Sequence, residues 1–268
     1  MSVRHLLVMS DTHIGSTLAV MKPGYVDMEG EKHEGNKLQR WLWDMWRRME
    51  DDVAAAINGE EFAILHNGDV IEGMHHRTTQ VVTADPADQP LMALEVLDPL
   101  FEDADKAFMV EGTECHTKNT EHSIARRLGC TPDPQTNKFA WPHLTIEING
   151  TLISAAHHVG TTSKPYLETS QYAPVLNSER LWAARQGERM PDHIFRAHRH
   201  VYGHWEDDCG AMTITPAWQG LTRFGRKVVA GARVTCGVVL LSWDDEGDYC
   251  TRKFLYKLRT AEGEVLKV

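Results

Sequence analysis

The sequence has few cysteines and no long apolar run. Its 268 residues include five cysteines (Cys115, Cys130, Cys209, Cys236 and Cys250), an odd number with no Cys-x-x-Cys pair. This pattern argues against a disulfide framework and a cysteine-rich zinc module, and it favours reduced thiols. No apolar run approaches the ~20 residues that span a bilayer, and the N-terminal apolar stretch is too short for a signal peptide. We therefore expect a cytoplasmic protein with no membrane partner.

Positive charge is also scarce. The chain has 28 Lys and Arg against 38 Asp and Glu, a formal net charge of -10. An acidic chain repels phosphate backbones at long range, so wrapping of duplex nucleic acid is disfavoured. Repeats, low-complexity stretches and long Gly/Ser linkers are absent, while 42% hydrophobic and 25% charged residues are globular values. We predict a single domain over residues 1–268.

The first half alternates between strand and helix patterns. Short apolar runs predict strands at Val3–Met9, Phe62–Leu65 and Ala107–Val110. Apolar residues at three-to-four spacing predict a helix that Asn36 caps and that continues to Ile57, and a second helix is predicted from about Pro90 to Leu100. Alternation of this kind predicts an α/β protein whose strands are buried on both faces.

The second half contains more β-strand patterns. Asn149-Gly150 lies between two alternating runs, Leu144–Ile148 and Thr151–Ala155, and predicts a two-residue hairpin. A helix is expected around Ser178–Gln186, followed by a strand at His193–Ala197. Two further runs predict a closing hairpin, Val234–Trp243 and Tyr249–Tyr256.

Histidine is abundant, with 15 residues, and several lie where predicted strands end together with carboxylates. The residues at these ends are Asp11, His13, Asp69, His157, His158, His198 and His200. Taken singly, each has an ordinary explanation as a turn, cap or surface residue. Taken together, so many carboxylates and imidazoles at one sheet edge call for bound cations, and mixed Asp/His ligation suits Mn, Fe or Zn. We expect residues 198–200 to be extended, so that strand alternation places His198 and His200 on one side and Arg199, which we do not assign to phosphate, on the other.

This series of motifs resembles the calcineurin-like metallophosphoesterase superfamily, especially versions found in bacteriophages and prophages. The family signature runs Asp-x-His, Gly-Asp, Gly-Asn-His-Asp/Glu, His, Gly-His-x-His. The matching segments are Asp11-Thr-His13, Gly68-Asp69, His157 and Ala197-His198-Arg-His200. The resemblance implies a sandwich of two mixed β-sheets flanked by helices, with the active site at the C-terminal ends of the strands.

The resemblance also implies two divalent metal ions. One would be held by Asp11, His13 and His200 and the other by His157 and His198, with Asp69 bridging both; His158 is an alternative to His157. Manganese is the expected ion, with iron, zinc or nickel as alternatives.

The third motif departs from the family. Gly112-Thr113-Glu114-Cys115-His116 has no Asn, so Glu114, Thr113 or water would take the position of the Asn ligand. His116 is the expected general acid. A nucleophilic role for Cys115 is disfavoured, because the histidines already indicate a metal site and nothing else activates the thiol.

His75 and His76 follow the second motif and either contact substrate at the rim or belong to a solvated loop. The implied reaction is hydrolysis of a phosphoester by a metal-bridging hydroxide, with a nucleotide or single-stranded nucleic acid as the expected substrate. If the chain is phage-encoded, the expected location is the host cytoplasm. The alternatives are a DNA repair-type nuclease of the same superfamily and a non-catalytic scaffold that keeps the fold.

Overall fold

The computed structural model describes residues 3–75, 78–117, 120–160, 170, 172–228 and 233–258. The helices are α1 Lys37–Ile57, α2 Asp88–Glu102, α3 Glu114–Thr117, α4 Thr120–Arg127, α5 Tyr172–Gln186 and α6 Arg223–Val228. The strands are β1 His5–Met9, β2 Tyr25–Val26, β3 Lys32–His33, β4 Phe62–Asn67, β5 Lys106–Val110, β6 Ala140–Trp141, β7 Leu144–Ile148, β8 Thr151–Ala155, β9 His193–Arg196, β10 Gly203–Asp207, β11 Gly210–Ile214, β12 Cys236–Trp243 and β13 Tyr249–Tyr256.

Two mixed sheets form the centre of the molecule. The first has six strands in the order β13-β12-β1-β4-β5-β6. Strands β1, β4, β5 and β6 are parallel to one another, whereas β12 is antiparallel to both of its neighbours, β1 and β13. The second has five strands in the order β10-β11-β9-β8-β7, with β8, β9 and β11 parallel. The expectation of two mixed sheets flanked by helices is therefore confirmed.

Alternate residues of β1 face different layers. Leu6 and Val8 pack with Phe195 and Ile153 of the second sheet, in a core between the two sheets. Leu7 and Met9 point the other way and pack in a second core with residues of α1 and α2. Since neighbouring side chains of a strand point to opposite faces, a continuous apolar run supplies both cores at once.

Helix α1 has the bounds that the sequence predicts. Asn36 accepts hydrogen bonds from the backbone N–H groups of Leu38 and Gln39, and the Gln39 side chain completes a capping box. The helix ends at Asn58, whose left-handed backbone closes its last turn. On its buried face Trp46 packs edge-on against Trp218, with ring centroids 4.8 Å apart, so this tryptophan belongs to the core.

The predicted β7–β8 hairpin is confirmed. Its two turn residues have φ of 49° at Asn149 and 83° at Gly150, the backbone that a type I′ turn requires. The predicted closing hairpin is β12–β13. No sequence pattern predicted the β10–β11 hairpin or the short helices α3, α4 and α6.

The topology brings several loops to one edge of the sandwich. Strands β1, β4 and β5 run parallel in the first sheet, and β8 and β9 run parallel in the second, so within each sheet the C-terminal ends of these strands lie side by side. A bridge between Ile14 and Ile71 extends the pairing of β1 and β4 into their loops. None of the helices in the described ranges is long and apolar enough to cross a membrane.

Candidate metal centre

The loops after five strands carry the chemistry that the motifs indicated. Asp11 and His13 follow β1, Asp69 follows β4, Thr113 and His116 follow β5, His157 follows β8, and His198 and His200 follow β9. The structure therefore places residues far apart in the chain at the same edge, where the C-terminal ends of parallel strands commonly build sites.

One group of ligand atoms comes from Asp11, His13 and His200, which lie within 4.8 Å of one another. The Nε2 atom of His200 is 3.3 Å from Asp11 Oδ1 and 3.1 Å from His13 Nε2. Asp11 Oδ2 is held away from this point, because it accepts hydrogen bonds from the Ser10 hydroxyl (2.6 Å) and the His198 N–H (3.2 Å). Asp11 thus presents a single oxygen to the two imidazoles.

A second group lies beside the first. Asp69 Oδ2 is 3.0 Å from His157 Nε2 and 3.7 Å from His13 Nε2, so this oxygen lies between the two groups. The rings of His157 and His198 pack at 5.3 Å between centroids. His157 is buried whereas His158 is exposed, and together with His198 they offer ligand atoms within 4.8 Å of one another.

The buried polar atoms here do not satisfy one another. Asp11 Oδ1 and His157 Nε2 are fully buried and make no well-aligned hydrogen bond within the described part of the chain. His200, His157 and His13 nitrogens lie 3.3, 3.8 and 3.9 Å from that oxygen, and Asp69 Oδ2 lies 3.0 Å from His157 Nε2. Native proteins rarely leave such atoms unsatisfied, and donor atoms directed at a shared point are the usual signature of a cation site. Carboxylate oxygens and imidazole nitrogens fit divalent Mn, Fe or Zn.

The electrostatics of the cluster also favour a cation. Burial opposes ionisation of Asp11 and Asp69, but the neighbouring histidines hold the pKa of both carboxyls well below the usual range. Burial likewise opposes protonation of His157, yet Asp69 and Asp11 raise its pKa to about 10. At His13, contacts with Glu72 and Asp69 outweigh burial and raise the pKa to about 8. Positive charge is therefore stabilised at this point.

The backbone at the site is left-handed. Five site residues have positive φ: Asp11 (50°), His13 (43°), Asp69 (56°), His198 (71°) and His200 (56°). The other non-glycine residues of the described chain with positive φ are the turn and cap asparagines Asn58, Asn137 and Asn149, so the rest of this uncommon backbone is concentrated at the site. Each such residue costs about 1–3 kcal/mol, and strain of this kind is typical of functional sites.

This backbone corrects one prediction. The pair His198 and His200 does not share a side through strand alternation, because β9 ends at Arg196 and both histidines have left-handed φ. The rings reach the site by a bend after the strand. The premise that placed Arg199 on the opposite side of a strand is wrong for the same reason.

Glu72 links several site histidines, a role that was not predicted from the sequence. Its Oε2 lies 3.2 Å from His13 Nδ1 and accepts a hydrogen bond from Gln219 (2.6 Å), while Oε1 contacts His75 Nε2 at 3.1 Å. Burial raises the pKa of Glu72, but His13 and His75 outweigh it and lower the pKa to about 2. A carboxylate at His13 Nδ1 favours a proton on that atom, so Nε2 is left for a cation. The available sequence signal for Glu72 was its position three residues after Asp69.

The third motif places Thr113, rather than Glu114, against the cluster. The Thr113 N–H donates to Asp69 Oδ1 (2.6 Å), and Thr113 Oγ1 lies 3.2 Å from Asp69 Oδ2 and 3.3 Å from His198 Nδ1. Glu114 begins α3 and its side chain is exposed. Of the three alternatives for the missing Asn, the geometry thus favours the threonine hydroxyl.

Glu121, on α4, supports the same two loops. Its carboxylate accepts hydrogen bonds from the backbone N–H groups of Val70 (3.0 Å) and Gly112 (2.6 Å), which flank Asp69 and Thr113 in sequence. Burial raises the pKa of Glu121 to about 7. The sequence carried no signal for this contact, because it joins a helix to two loops 51 and 9 residues away.

His116 lies at the side of the cluster. Its ring contacts the His13 ring edge-on, with centroids 4.7 Å apart, and Nδ1 is 2.7 Å from the Glu72 carbonyl. A carbonyl only accepts, so Nδ1 carries a proton and the neutral ring has a free lone pair on Nε2. Burial, and then the proximity of His13, lower the pKa of His116 to about 4.

Two neighbours of His116 complete the rim. His75 is half-buried, and its ring packs against His116 at 4.1 Å between centroids, so it lies at the site; His76 lies outside the described residues. Burial and Asp69 raise the pKa of the Cys115 thiol, which opposes a nucleophilic thiolate.

Comparisons with known proteins give similarity in structure only. No family model matches the chain, and no curated protein matches it. Vps29 from Chaetomium thermophilum is 12% identical with a TM-score of 0.46, covering 96% of this chain and 98% of that one. A zinc complex of Vps29 from Entamoeba histolytica is 11% identical with a TM-score of 0.41, covering 94% and 98%. An archaeal phosphodiesterase is 13% identical with a TM-score of 0.42, covering 93% and 99%.

Proposed function

We propose that this protein is a dinuclear metal-dependent phosphoesterase. The observation that carries the proposal is that two ligand groups lie side by side with the Asp69 carboxylate between them. Asp11, His13 and His200 would hold one ion, His157 and His198 the other, and Asp69 would contact both. The fit rests on the unsatisfied Asp11 Oδ1 and His157 Nε2 atoms. Manganese is the expected ion, with iron, zinc or nickel as alternatives, since mixed carboxylate and imidazole ligands suit several of these ions.

Paired divalent ions, when bound, activate water and neutralise a phosphoryl group during in-line displacement. The protein's own part is to hold the ligands before the ions arrive. The backbone conformations of Asp11, Asp69 and His200 and the hydrogen bonds from Ser10 and Thr113 fix the carboxylates in place. Such preorganisation reduces the reorganisation needed on ion and substrate binding.

His116 is our proposed proton donor to the leaving oxygen. The Glu72 carbonyl fixes the ring through Nδ1, so Nε2 is the atom that would exchange a proton with substrate. A phosphate anion beside the ring favours its protonated form, which raises a pKa that is about 4 in the free protein. General acids of this kind contribute roughly 10²–10⁴-fold to rate.

The substrate class we propose is a nucleotide or single-stranded nucleic acid phosphoester. A net charge of -10 opposes long-range attraction of a duplex, and two divalent ions would bring it only to about -6 (-10 + 4). The positive charge of the bound ions is strongest close to them, so a small anionic ester would be attracted at the site itself. Whether monoesters or diesters are preferred follows from the test below.

The test is hydrolysis by the Mn²⁺-loaded protein of bis-p-nitrophenyl phosphate, p-nitrophenyl phosphate and phenyl phosphate. Asp69→Asn should abolish turnover, while the exposed Asp245→Asn variant should keep it. His116→Ala should lose more rate on phenyl phosphate than on p-nitrophenyl phosphate, because the more basic leaving group depends more on a proton donor.

The outcomes separate the alternatives. Preference for the diester, followed by cleavage of single-stranded DNA, would support the nuclease branch of the proposal. If a metal-bearing protein turned over no ester, the enzyme would be excluded and the non-catalytic scaffold would remain. If His116→Ala hydrolysed every ester as fast as the wild type, the proton donor would be another group.

A further inference from the structure

A second group of side chains that could bind a cation lies beside the proposed centre. His75, Cys115 and His116 offer ligand atoms that all lie within 4.8 Å of one another. All three side chains are half-buried, so they are accessible from the rim. The cluster joins the loop after β4 to α3, and only His116 belongs to the proposed catalytic set.

The donor atoms of this cluster differ from those of the two-ion centre. A cysteine sulfur with two imidazoles is a soft donor set that prefers Zn²⁺, whereas the centre combines imidazoles with the hard oxygens of Asp11 and Asp69 and has no sulfur. Three protein ligands with water as the fourth is a common zinc arrangement. Negative charge is close by, because Asp69 and Glu72 both act on the Cys115 thiol.

Existing contacts hold two of the ligands in place. The His116 Nδ1 atom is engaged by the Glu72 carbonyl at 2.7 Å, which leaves Nε2 for a cation. His75 contacts the Glu72 carboxylate at 3.1 Å, and its ring packs on His116 at 4.1 Å between centroids. The two imidazoles are therefore positioned by the same glutamate, within reach of the Cys115 sulfur.

We propose that His75, Cys115 and His116 form a binding site for a thiophilic divalent cation, Zn²⁺ above all, and that its occupancy inhibits the enzyme. A cation on His116 Nε2 takes the lone pair that would otherwise carry the proton for the leaving group. The binding itself is independent of the proposed function, and only the inhibition rests on it.

The binding test uses the Mn²⁺-loaded protein titrated with Co²⁺ as a spectroscopic substitute for zinc. A thiolate-to-cobalt charge-transfer absorption should grow to one Co²⁺ per chain. Cys115→Ser should abolish the absorption, and Cys209→Ser, which removes an exposed cysteine elsewhere, should keep it. Far-ultraviolet circular dichroism checks that both variants are folded.

The inhibition test adds Zn²⁺ to the same Mn²⁺-loaded proteins and measures ester hydrolysis. Half-inhibition of Cys115→Ser should need at least about tenfold more zinc than half-inhibition of the wild type, since the variant lacks the soft sulfur ligand. Excess Mn²⁺ in every assay keeps the centre loaded, so that zinc at the centre does not set the midpoint in either protein.

Absence of the absorption in the wild type, or its persistence in Cys115→Ser, would overturn the site. Equal zinc sensitivity of the two proteins would overturn the inhibitory role. If no protein hydrolyses any ester, the proposed function fails, while the cobalt absorption still decides the binding.

Discussion

Glu72 provides a sharp test of how the metal centre is held. Its carboxylate lies 3.2 Å from His13 Nδ1, accepts from Gln219 at 2.6 Å and contacts His75 at 3.1 Å. Loss of a carboxylate that orients a ligand imidazole weakens metal binding by about 10–100-fold, or about 1.4–2.7 kcal/mol. Glu72→Gln keeps the shape but loses the charge, so we expect the lower value; Glu72→Ala removes every contact, so we expect the higher.

The measurement is isothermal titration of the metal-free protein with Mn²⁺ at fixed pH. Glu102→Gln is the matched control, because it removes one negative charge from an exposed position at the end of α2. If Glu72→Ala bound Mn²⁺ as tightly as the control, then Glu72 would not orient His13 toward an ion, and the account of the supporting contacts would be refuted.

Three other residues give independent predictions. Glu121→Ala leaves the buried Val70 N–H and the half-buried Gly112 N–H without their acceptor and should lower the free energy of unfolding by about 2 kcal/mol in urea titrations; an unchanged midpoint would contradict this. Thr113→Val should weaken Mn²⁺ binding whereas Glu114→Gln should not, and the reverse order would identify Glu114 as the ligand. Burial lowers the pKa of His193 to about 3 from 6.5, so folding keeps it neutral and acid favours the unfolded chain below about pH 6.5. Lowering the pH from 7 to 5 should therefore reduce the free energy of unfolding of the wild type by about 2 kcal/mol through this group. The His193→Gln variant should lack this contribution to the pH dependence.

Local signals in the sequence predicted whole elements. The bounds of α1 follow from Asn36 and the spacing of apolar residues, and the β7–β8 turn follows from Asn149-Gly150, because both signals act within a few residues. The polar residues that follow β1 and β4 were also correctly predicted to mark the strand ends, since an abrupt change from apolar to polar residues marks the edge of a buried sheet.

The rest depends on contacts between distant segments. Glu72 reaches Gln219 across 147 residues, and no pattern near either residue reports that contact. The left-handed backbone of His198 and His200 was also not predictable, because local preference favours an extended form and tertiary contacts override it. The predicted site residues could therefore be chosen from motif order, whereas the long-range contacts that hold them could not be predicted.

The most direct test of the dinuclear centre is a crystal structure of the protein grown with Mn²⁺ and phosphate, with anomalous scattering to locate the ions. The account predicts two peaks about 3.5–4 Å apart. One should be bound by Asp11, His13 and His200, the other by His157 and His198, with Asp69 bound to both. A single peak, or ions only at other residues, would contradict it.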